Sequence, residues 1–158
     1  MNLLELTLNQ PIEPKSGWEL FKDKKVIVFG LPGAFTPTCT SKQLPGFEAM
    51  YDQFKEDKDI DEIYCVSVND GFVMKAWAKL HTSGSKVKCI ADGNGEFTRR
   101  MGMLVEKNNL GFGMRSWRYA AVINNGIVIE LFAEDGIEDN HGEDPYVNST
   151  PQNVYEKL

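Results

Sequence analysis

The side chains with the most reactive chemistry in this chain are three cysteine thiols. They are Cys39, Cys65 and Cys89, and Cys39 alone stands where a loop leads into a predicted helix. A thiol near a helix N-terminus faces unpaired backbone N–H groups and the positive end of the helix dipole. Both favour the thiolate, the form of cysteine that attacks peroxides and disulfides. The position therefore predicts a nucleophilic thiol at Cys39, with a small buried side chain as the alternative.

The spacing of the cysteines argues against two other common uses. An odd number of widely separated cysteines does not form the disulfide framework of a small secreted domain, and the chain has no Cys-x-x-Cys pair. A zinc site would need more ligands at closer spacing, and His81 and His141 are far from every cysteine. We therefore expect no metal site built on these residues.

The elements around Cys39 can be predicted from local patterns. Residues 31–37 contain two prolines and a glycine, which is typical of a loop. Thr38 is predicted to be the N-cap of the following helix, so that Cys39 lies in the first helical turn. Apolar residues recur at helical spacing over residues 44–54, and Pro45 is expected to kink the helix.

The remaining elements define the fold class. Runs rich in β-branched residues predict strands over residues 26–30, 63–68 and 87–90, and Asn124-Asn125-Gly126 predicts a hairpin between strands over 117–123 and 127–132. Helices are predicted after Asp70, over 96–101 and after Thr150-Pro151. The order predicts an α/β fold with a mixed sheet covered by helices on both faces. A thioredoxin-like arrangement satisfies this order, although the order alone does not select it.

Bulk composition narrows the classes of protein. A length of 158 residues favours a single domain over residues 1–158, and 42% hydrophobic with 25% charged residues is ordinary for a globular protein. The net charge of -6, without a basic stripe, argues against binding to nucleic acid or to an anionic membrane. No apolar run approaches the length of a membrane span, and the N-terminus does not resemble a signal peptide. The expected location is therefore the cytoplasm.

The loop before the predicted helix resembles a known motif. Pro32-Gly33-Ala34-Phe35-Thr36-Pro37-Thr38-Cys39 is similar to the peroxidatic motif of the peroxiredoxins, Pro-x-x-x-Thr-x-x-Cys. With Leu44-Pro45-Gly46-Phe47, it resembles the type-five subfamily, which includes plant type II enzymes and bacterial peroxiredoxin–glutaredoxin fusions. The resemblance spans nearly the whole chain and continues through residues 66–77, 92–98 and 110–119.

The resemblance implies a thioredoxin fold that reduces hydroperoxides without a metal or bound cofactor. It assigns the peroxidatic nucleophile to Cys39, and a hydrogen bond to thiolate and peroxide to Thr36. It assigns the shielding of the site from water to Pro32, and the active-site guanidinium to Arg118. It also implies a homodimer whose contact lies near the active site, for which the loop 110–114 is a candidate.

Acidity alone does not account for a fast peroxidase. A cysteine with a pKa of about 8.5 is only about 3% thiolate at pH 7, and a pKa of about 6 would raise the thiolate roughly thirty-fold. The same change lowers the intrinsic nucleophilicity of the sulfur. We therefore expect Arg118, Thr36 and backbone N–H groups near Cys39 to stabilise the charge that develops as the O–O bond breaks.

The oxidised thiol must be recycled by a second thiol. Residues 133–158 contain no cysteine, which argues against the C-terminal resolving cysteine of some type-five relatives. Cys65 lies where plant type II relatives carry their second cysteine, but its alternation with Ile63 and Ser67 favours a buried core position. A buried role is also expected for Cys89. We predict reduction by glutathione, with or without glutaredoxin, and keep thioredoxin with Cys65 as resolving cysteine as the alternative.

Two other functions share part of this chemistry. A thiol–disulfide oxidoreductase would use the same fold, although the missing Cys-x-x-Cys counts against it. A non-catalytic redox sensor would use the oxidation of Cys39 as a signal. Elsewhere, His81 and His141 are expected to be exposed, and the acidic stretch 134–144 is expected to be a solvated loop.

Overall fold

A five-stranded sheet forms the centre of the computed structural model, which describes residues 2–9, 15–81 and 86–158. Within these residues the strands are β1 (Thr7–Leu8), β2 (Lys15–Ser16), β3 (Lys25–Leu31), β4 (Glu62–Ser67), β5 (Lys88–Ala91), β6 (Leu104–Glu106), β7 (Met114–Ser116), β8 (Tyr119–Asn124) and β9 (Ile127–Ala133). The α-helices are α1 (Gly17–Phe21), α2 (Leu44–Lys58), α3 (Gly71–His81), α4 (Glu96–Arg100) and α5 (Pro151–Lys157). Short 3-10 helices occur at Leu3–Glu5 and Asn108–Leu110, and a π-helical segment, Cys39–Gln43, precedes α2.

The sheet has the strand order β5-β4-β3-β8-β9. Strands β3, β4 and β5 are parallel, because α2 and α3 carry the chain back between them. Strand β8 pairs antiparallel with β3, and β9 pairs antiparallel with β8. The predicted mixed sheet and the order of its elements are confirmed.

Helices cover both faces of this sheet, as predicted. One apolar cluster packs α1 and α4 against one face, with Phe21 and Phe97 stacked at 6.1 Å between ring centroids. The second cluster packs α2, α3 and α5 against the other face, and it contains Cys39 and Cys65. Strands β3 and β4 are buried on both faces beyond their first residue, which explains their largely apolar sequences, whereas the edge strand β5 begins with the exposed Lys88.

The hairpin between β8 and β9 turns at Asn125 and Gly126, whose φ angles are 48° and 82°. Two successive positive φ angles define the type I′ turn that Asn-Gly favours. Strand β8 begins at Tyr119, however, and not at Trp117 as predicted. The Trp117 amide donates to the Met103 carbonyl at 2.7 Å, so Trp117 and Arg118 form a link between β7 and β8.

Two predicted helix caps are confirmed. The Asp70 carboxylate accepts from the Val73 amide at 2.9 Å at the start of α3, and the Thr150 hydroxyl accepts from the Asn153 amide at 3.2 Å at the start of α5. In the part of the chain that the structure describes, no helix is both long enough and apolar enough to cross a bilayer.

Candidate active site

The loop after β3 is shaped by contacts with the end of β4. The Ala34 amide donates to the Asn69 side-chain oxygen at 3.0 Å, and the Ser67 hydroxyl donates to the same oxygen at 2.6 Å. Phe35 then adopts a φ of 66°, in the left-handed region that non-glycine residues rarely occupy. The long-range contact with Asn69 therefore holds a backbone conformation that local sequence would not favour.

Gly33 packs closely against two side chains of the site. A Cβ atom at this position would lie 2.9 Å from the Arg115 Nη1 atom and 3.2 Å from the Thr36 methyl carbon. Arg115 also donates to the Pro32 carbonyl at 3.3 Å, so its guanidinium lies across the loop. A larger residue at Gly33 would therefore displace the Arg115 guanidinium and press on Thr36.

Cys39 lies in the first helical turn, as predicted, but the predicted cap is wrong. Thr38 is already helical, with φ -65° and ψ -40°, and its side chain makes no capping hydrogen bond. The helix starts earlier because the Thr40 amide donates to the Thr36 carbonyl at 3.0 Å. The Thr38 hydroxyl is thereby free of a capping role, and it donates to the Asp144 carboxylate.

A π-helical segment separates Cys39 from α2. It runs from Cys39 to Gln43, and the Leu44 amide donates to the Cys39 carbonyl five residues back. Pro45 follows as one of the first residues of α2. The irregularity expected at Pro45 therefore takes the form of a wide turn just before it, a feature common at functional sites.

Arg118 contacts the sulfur of Cys39 directly. Its Nη2 atom is 3.5 Å from Cys39 Sγ, and both residues are buried, with Arg118 only 3% exposed. Burial opposes the charge on Arg118, but the neighbouring Cys39 and the Asp144 carboxylate outweigh it and raise the pKa of the guanidinium. Arg118 is thus a permanent cation at the sulfur.

Gln43 fixes the orientation of Arg118, a role that the sequence analysis did not predict. Its side chain is fully buried. The Gln43 Nε2 atom donates to the Gly30 carbonyl at 3.1 Å, and its Oε1 atom accepts from Arg118 Nε at 2.9 Å. A polar residue on the inward face of the helix, four residues after Cys39, is the signal that could have identified it.

The predicted solvated loop at residues 134–144 is wrong at Glu134, which is buried, whereas residues 135–144 are exposed or partly exposed and Asp144 nevertheless contacts Arg118. Asp144 accepts a hydrogen bond from Arg118 Nη1, and the Pro145 carbonyl accepts from the same nitrogen at 3.1 Å. Burial would raise the pKa of Asp144, but the hydrogen bond and charge of Arg118 lower it overall. Asp144 is therefore an anion that holds Arg118 from the side opposite Gln43.

Glu134, at the other end of this segment, anchors the chain that carries Asp144. It is 3% exposed and accepts from the amides of Val147, Asn148 and Ser149 at 2.7–3.0 Å, and from the Ser149 hydroxyl at 2.6 Å. Burial would raise its pKa, but these donors lower it overall. A buried carboxylate saturated with donors is a structural anchor.

We expect Glu134→Gln to lower the free energy of unfolding by about 2 kcal/mol at pH 7, because an amide cannot accept all four hydrogen bonds. The pKa of Glu134 is lower in the folded chain, so its stabilisation is present above the ordinary value of 4.5 and is lost as the pH falls through the folded value. Denaturant unfolding between pH 3 and pH 7 should therefore show a weaker acid dependence in the variant. Glu130→Gln, an exposed position on β9, is the control. Equal stability of the two variants would contradict the anchor.

Pro32 and Thr36 line the entrance above the sulfur. They share a cavity of about 210 Å³ with Thr38, Arg118 and Asp144. The Thr36 hydroxyl donates to the Gly33 carbonyl at 2.7 Å, which leaves the lone pairs of its oxygen to accept from a ligand. Cys39 itself is 0% exposed, and its contact Arg118 lines the cavity, so we expect a ligand to approach the sulfur from this side.

Cys65 and Cys89 are not part of this cavity. They face each other across the parallel strands β4 and β5, and their thiols are hydrogen-bonded to one another. Cys65 is fully buried, as predicted, and burial followed by the contact with Cys89 raises its pKa well above the ordinary value. Cys89 is partly buried, and all three cysteines are free thiols.

The two histidines are less exposed than predicted. The His141 ring packs edge-on against Trp117 at 5.2 Å between centroids, contacts the Glu138 carboxylate at 2.7 Å and is 18% exposed. His81 packs against Phe35 at 5.9 Å. Over residues 2–9, 15–81 and 86–158, no group of three or more potential ligands is arranged to hold a metal ion.

Known proteins resemble this chain over most of its length. The family model described as Redoxin matches residues 4–148. A protein named Peroxiredoxin from Rhizobium etli is 59% identical over 147 residues, which cover 92% of this chain and 80% of that protein. A protein named Hybrid peroxiredoxin hyPrx5 from Haemophilus influenzae is 52% identical over 128 residues, which cover 81% of this chain and 51% of that protein. The crystal structure of a Plasmodium falciparum antioxidant protein, described as a 1-Cys peroxiredoxin, has a TM-score of 0.88 at 44% identity and covers 92% of this chain and 84% of that chain.

Proposed function

Since this chain belongs to the peroxiredoxin family and is therefore a thiol-dependent peroxidase, we propose that Cys39 is its peroxidatic cysteine and that glutathione, with or without glutaredoxin, reduces it. The observation that carries the assignment is the contact of 3.5 Å between Arg118 Nη2 and Cys39 Sγ inside a buried site. A permanent cation at a buried sulfur pairs with the thiolate, which is the reactive form.

The hydrogen bonds of Arg118 leave one donor for the substrate. A guanidinium has five N–H groups. Nε donates to Gln43, the two N–H groups of Nη1 serve Asp144 and Pro145, and one N–H of Nη2 points to Cys39. For the fifth N–H, on Nη2, the described residues offer no acceptor. We assign it to the hydroperoxide oxygen that Cys39 attacks.

The first step is a displacement at oxygen. The Cys39 thiolate attacks one oxygen of the hydroperoxide, the O–O bond breaks, and the other oxygen leaves as an alcohol or water after it takes up a proton. Cys39 becomes a sulfenic acid. Arg118 stabilises the negative charge as it moves from sulfur to oxygen, and the Thr36 oxygen accepts a hydrogen bond from the hydroperoxide O–H group, which orients the substrate.

In the second step of the proposed cycle, glutathione reduces the Cys39 sulfenic acid back to the thiol. The glutathione thiolate attacks the sulfenic sulfur and forms a mixed disulfide, while the hydroxyl leaves and takes up a proton to become water. The thiolate of a second glutathione then attacks the glutathione sulfur, which releases the Cys39 thiolate and oxidised glutathione. The relative from Haemophilus influenzae is named a hybrid peroxiredoxin and is matched over about half of its length. This fits the resemblance to fusions with glutaredoxin, an enzyme that works with glutathione.

Cys65 is a poor candidate for the resolving thiol. Its raised pKa keeps it protonated, and a protonated thiol is a weak nucleophile. It also lies in the middle of β4, where its backbone is paired on both sides with β3 and β5. Although Cys65 shares an apolar cluster with Cys39, its protonated thiol on a paired central strand favours an external thiol.

We expect the double variant Cys65→Ser, Cys89→Ser to turn over hydrogen peroxide with glutathione near the wild-type rate. Neither thiol has a place in the proposed cycle, and serine replaces each sulfur by a smaller polar group. Steady-state kinetics with glutathione, glutathione plus glutaredoxin, and thioredoxin would measure this. Loss of turnover on Cys65→Ser alone, with thioredoxin active on the wild type, would establish the alternative reductant instead.

Rapid mixing with hydrogen peroxide separates the peroxidase from its two rivals. A peroxidase should oxidise Cys39 quickly and then turn over repeatedly with the reductant. A thiol–disulfide oxidoreductase should react slowly with peroxide. A redox sensor should oxidise once and turn over poorly, so a single turnover with every reductant would reject the proposed cycle.

The proposed homodimer is supported by exposed apolar side chains, of which Leu110 also lines the cavity. Leu110 and Met114, in the loop that the sequence indicated, are 55% and 45% exposed. Phe35, Phe72 and Leu80 are 50–70% exposed as well. Exposed apolar groups near a site are typical of a contact with another chain.

The cytoplasm, with its glutathione pool, is the proposed location.

A further inference from the structure

Lys107 is a buried lysine at the wall of the cavity above Cys39. It follows β6 and is 5% exposed. Its amide donates to the Gly113 carbonyl at 2.7 Å, and its carbonyl accepts from the amides of Leu110 and Phe112 at 3.1 Å. The backbone is therefore fixed, and the side chain lies against Trp117, with 5.4 Å between the ammonium nitrogen and the ring centre.

The ammonium of Lys107 has no hydrogen-bond acceptor and no ion pair among the residues that the structure describes. Burial lowers the pKa of the ammonium; the charges of Asp144 and Cys39 oppose this shift, Arg118 adds to it, and the pKa is lowered overall. A buried ammonium without an acceptor is costly unless an anion binds to it. The side chain thus lacks the partner that its burial requires.

The position of Lys107 indicates where that anion would come from. Lys107 lines the same cavity as Thr36, Thr38 and Arg118, and Arg118 contacts the sulfur of Cys39, so a ligand that enters this cavity comes close to both Lys107 and the reactive site. The cavity of about 210 Å³ is smaller than the roughly 300–1,000 Å³ of sites that enclose a drug-sized ligand. It is suited to one end of a small molecule whose reactive group reaches the sulfur.

Hydrogen peroxide carries no negative charge that could pair with the Lys107 ammonium, whereas the proposed reductant carries such charges. Glutathione has two carboxylates, which are good acceptors for an ammonium, and one α-ammonium group. Glu143 and Asp144 line the cavity together with Lys107 and supply negative charge for such an ammonium. The cavity therefore offers both signs of charge that a peptide-like thiol presents.

We propose that Lys107 binds a carboxylate of the thiol reductant and so selects a carboxylate-bearing thiol such as glutathione for attack on the Cys39 sulfenic acid. This inference rests on the proposed function, since it names the contact that the reductant makes. Lys107 is a binding residue here and takes no part in bond making. Its backbone hydrogen bonds do not depend on its side chain, so Lys107→Met keeps them and keeps a long apolar side chain over Trp117.

The test compares thiols with and without free carboxylates. Wild type and Lys107→Met are oxidised with hydrogen peroxide, and the rate constant for capping of the sulfenic acid is measured with glutathione, with its diethyl ester and with 2-mercaptoethanol. In the wild type we expect glutathione to be favoured over its ester by about ten-fold, as a charge-assisted hydrogen bond permits. In Lys107→Met the ratio of the two rate constants should fall to near one. Because both rate constants are measured on the same variant, any general effect of the substitution on Cys39 cancels in the ratio.

Two control variants separate the charge from the fold. Lys107→Arg keeps a cation and should keep most of the preference. Lys55→Met removes an exposed lysine that also lies over an aromatic ring, Tyr51 at 5.9 Å, and should leave the ratio unchanged. A wild-type ratio near one, or a Lys107→Met ratio equal to the wild type, would overturn the proposal.

A binding measurement tests the contact between Lys107 and the carboxylate independently of turnover. S-methylglutathione keeps both carboxylates and cannot react, and its affinity for the reduced protein should fall by about ten-fold in Lys107→Met. If the wild type does not turn over on glutathione, the reductant proposal fails, while the capping ratio and this affinity still decide the role of Lys107. If Lys107→Met instead slows only oxidation by a carboxylate-bearing hydroperoxide, the anion belongs to the peroxide and the proposal is wrong.

Discussion

Replacing Cys39 with serine is expected to reduce hydroperoxide consumption to background, a loss of at least about a thousand-fold. A serine hydroxyl beside Arg118 is not ionised at neutral pH, and without a sulfur atom the residue cannot be oxidised to a sulfenic acid. The other two thiols cannot substitute, because Cys65 is protonated and buried and Cys89 lies with it away from the cavity. The measurement is peroxide consumption under excess reductant, together with single-turnover mixing.

The controls for this variant are the single variants Cys65→Ser and Cys89→Ser. Both should keep the rapid first oxidation, since the contact between Arg118 and Cys39 is untouched. Serine is close to cysteine in size, so Cys39→Ser should remain folded, which denaturant unfolding would verify. A folded Cys39→Ser protein that still consumes peroxide would refute the assignment of the nucleophile.

Loss of the Arg118 guanidinium should have the second largest effect. Arg118→Ala removes the cation at 3.5 Å from the sulfur and the only N–H assigned to the hydroperoxide. Removal of one preorganised donor to a developing charge commonly costs on the order of 10² to 10³ in rate. We therefore expect the rate constant for oxidation of Cys39 by hydrogen peroxide to fall by at least about 100-fold.

Two further variants distinguish charge from geometry. Arg118→Lys keeps a positive charge but cannot hold Gln43, Asp144 and Cys39 at once, so it should recover only part of the rate. Thr36→Val removes a neutral acceptor and should cost about ten-fold. Near-full rates in both Arg118→Ala and Thr36→Val would show that the charge on the leaving oxygen is stabilised elsewhere.

The surroundings of Arg118 explain why its variants should be so sensitive. Gln43 and Asp144 hold the two ends of the guanidinium, and Glu134 anchors the segment that brings Asp144 to it. The guanidinium therefore does not have to reorganise when the substrate arrives. Burial of the Arg118 side chain also keeps water from competing with the hydroperoxide for the free N–H group of the guanidinium.

The sequence by itself determined the elements of this protein and the residue at its centre. Apolar runs predicted β3, β4 and β5 to within one or two residues, Asn125-Gly126 predicted the hairpin, and the loop before Cys39 indicated a reactive thiol in a first helical turn. These features are local, because strand and helix patterns, turns and caps depend on residues within a few positions of one another.

Only the tertiary structure decided what surrounds the sulfur. Arg118 reaches Cys39 across 79 positions and Gln43 across 75, and Asp144 reaches Arg118 from a segment that the sequence predicted to be solvated. The acidic composition of that segment gave no indication that Glu134 and Asp144 are engaged by buried donors, and nothing local marked Lys107 as buried. Such contacts depend on where the sheet places distant parts of the chain, and no periodic pattern in one sequence records that.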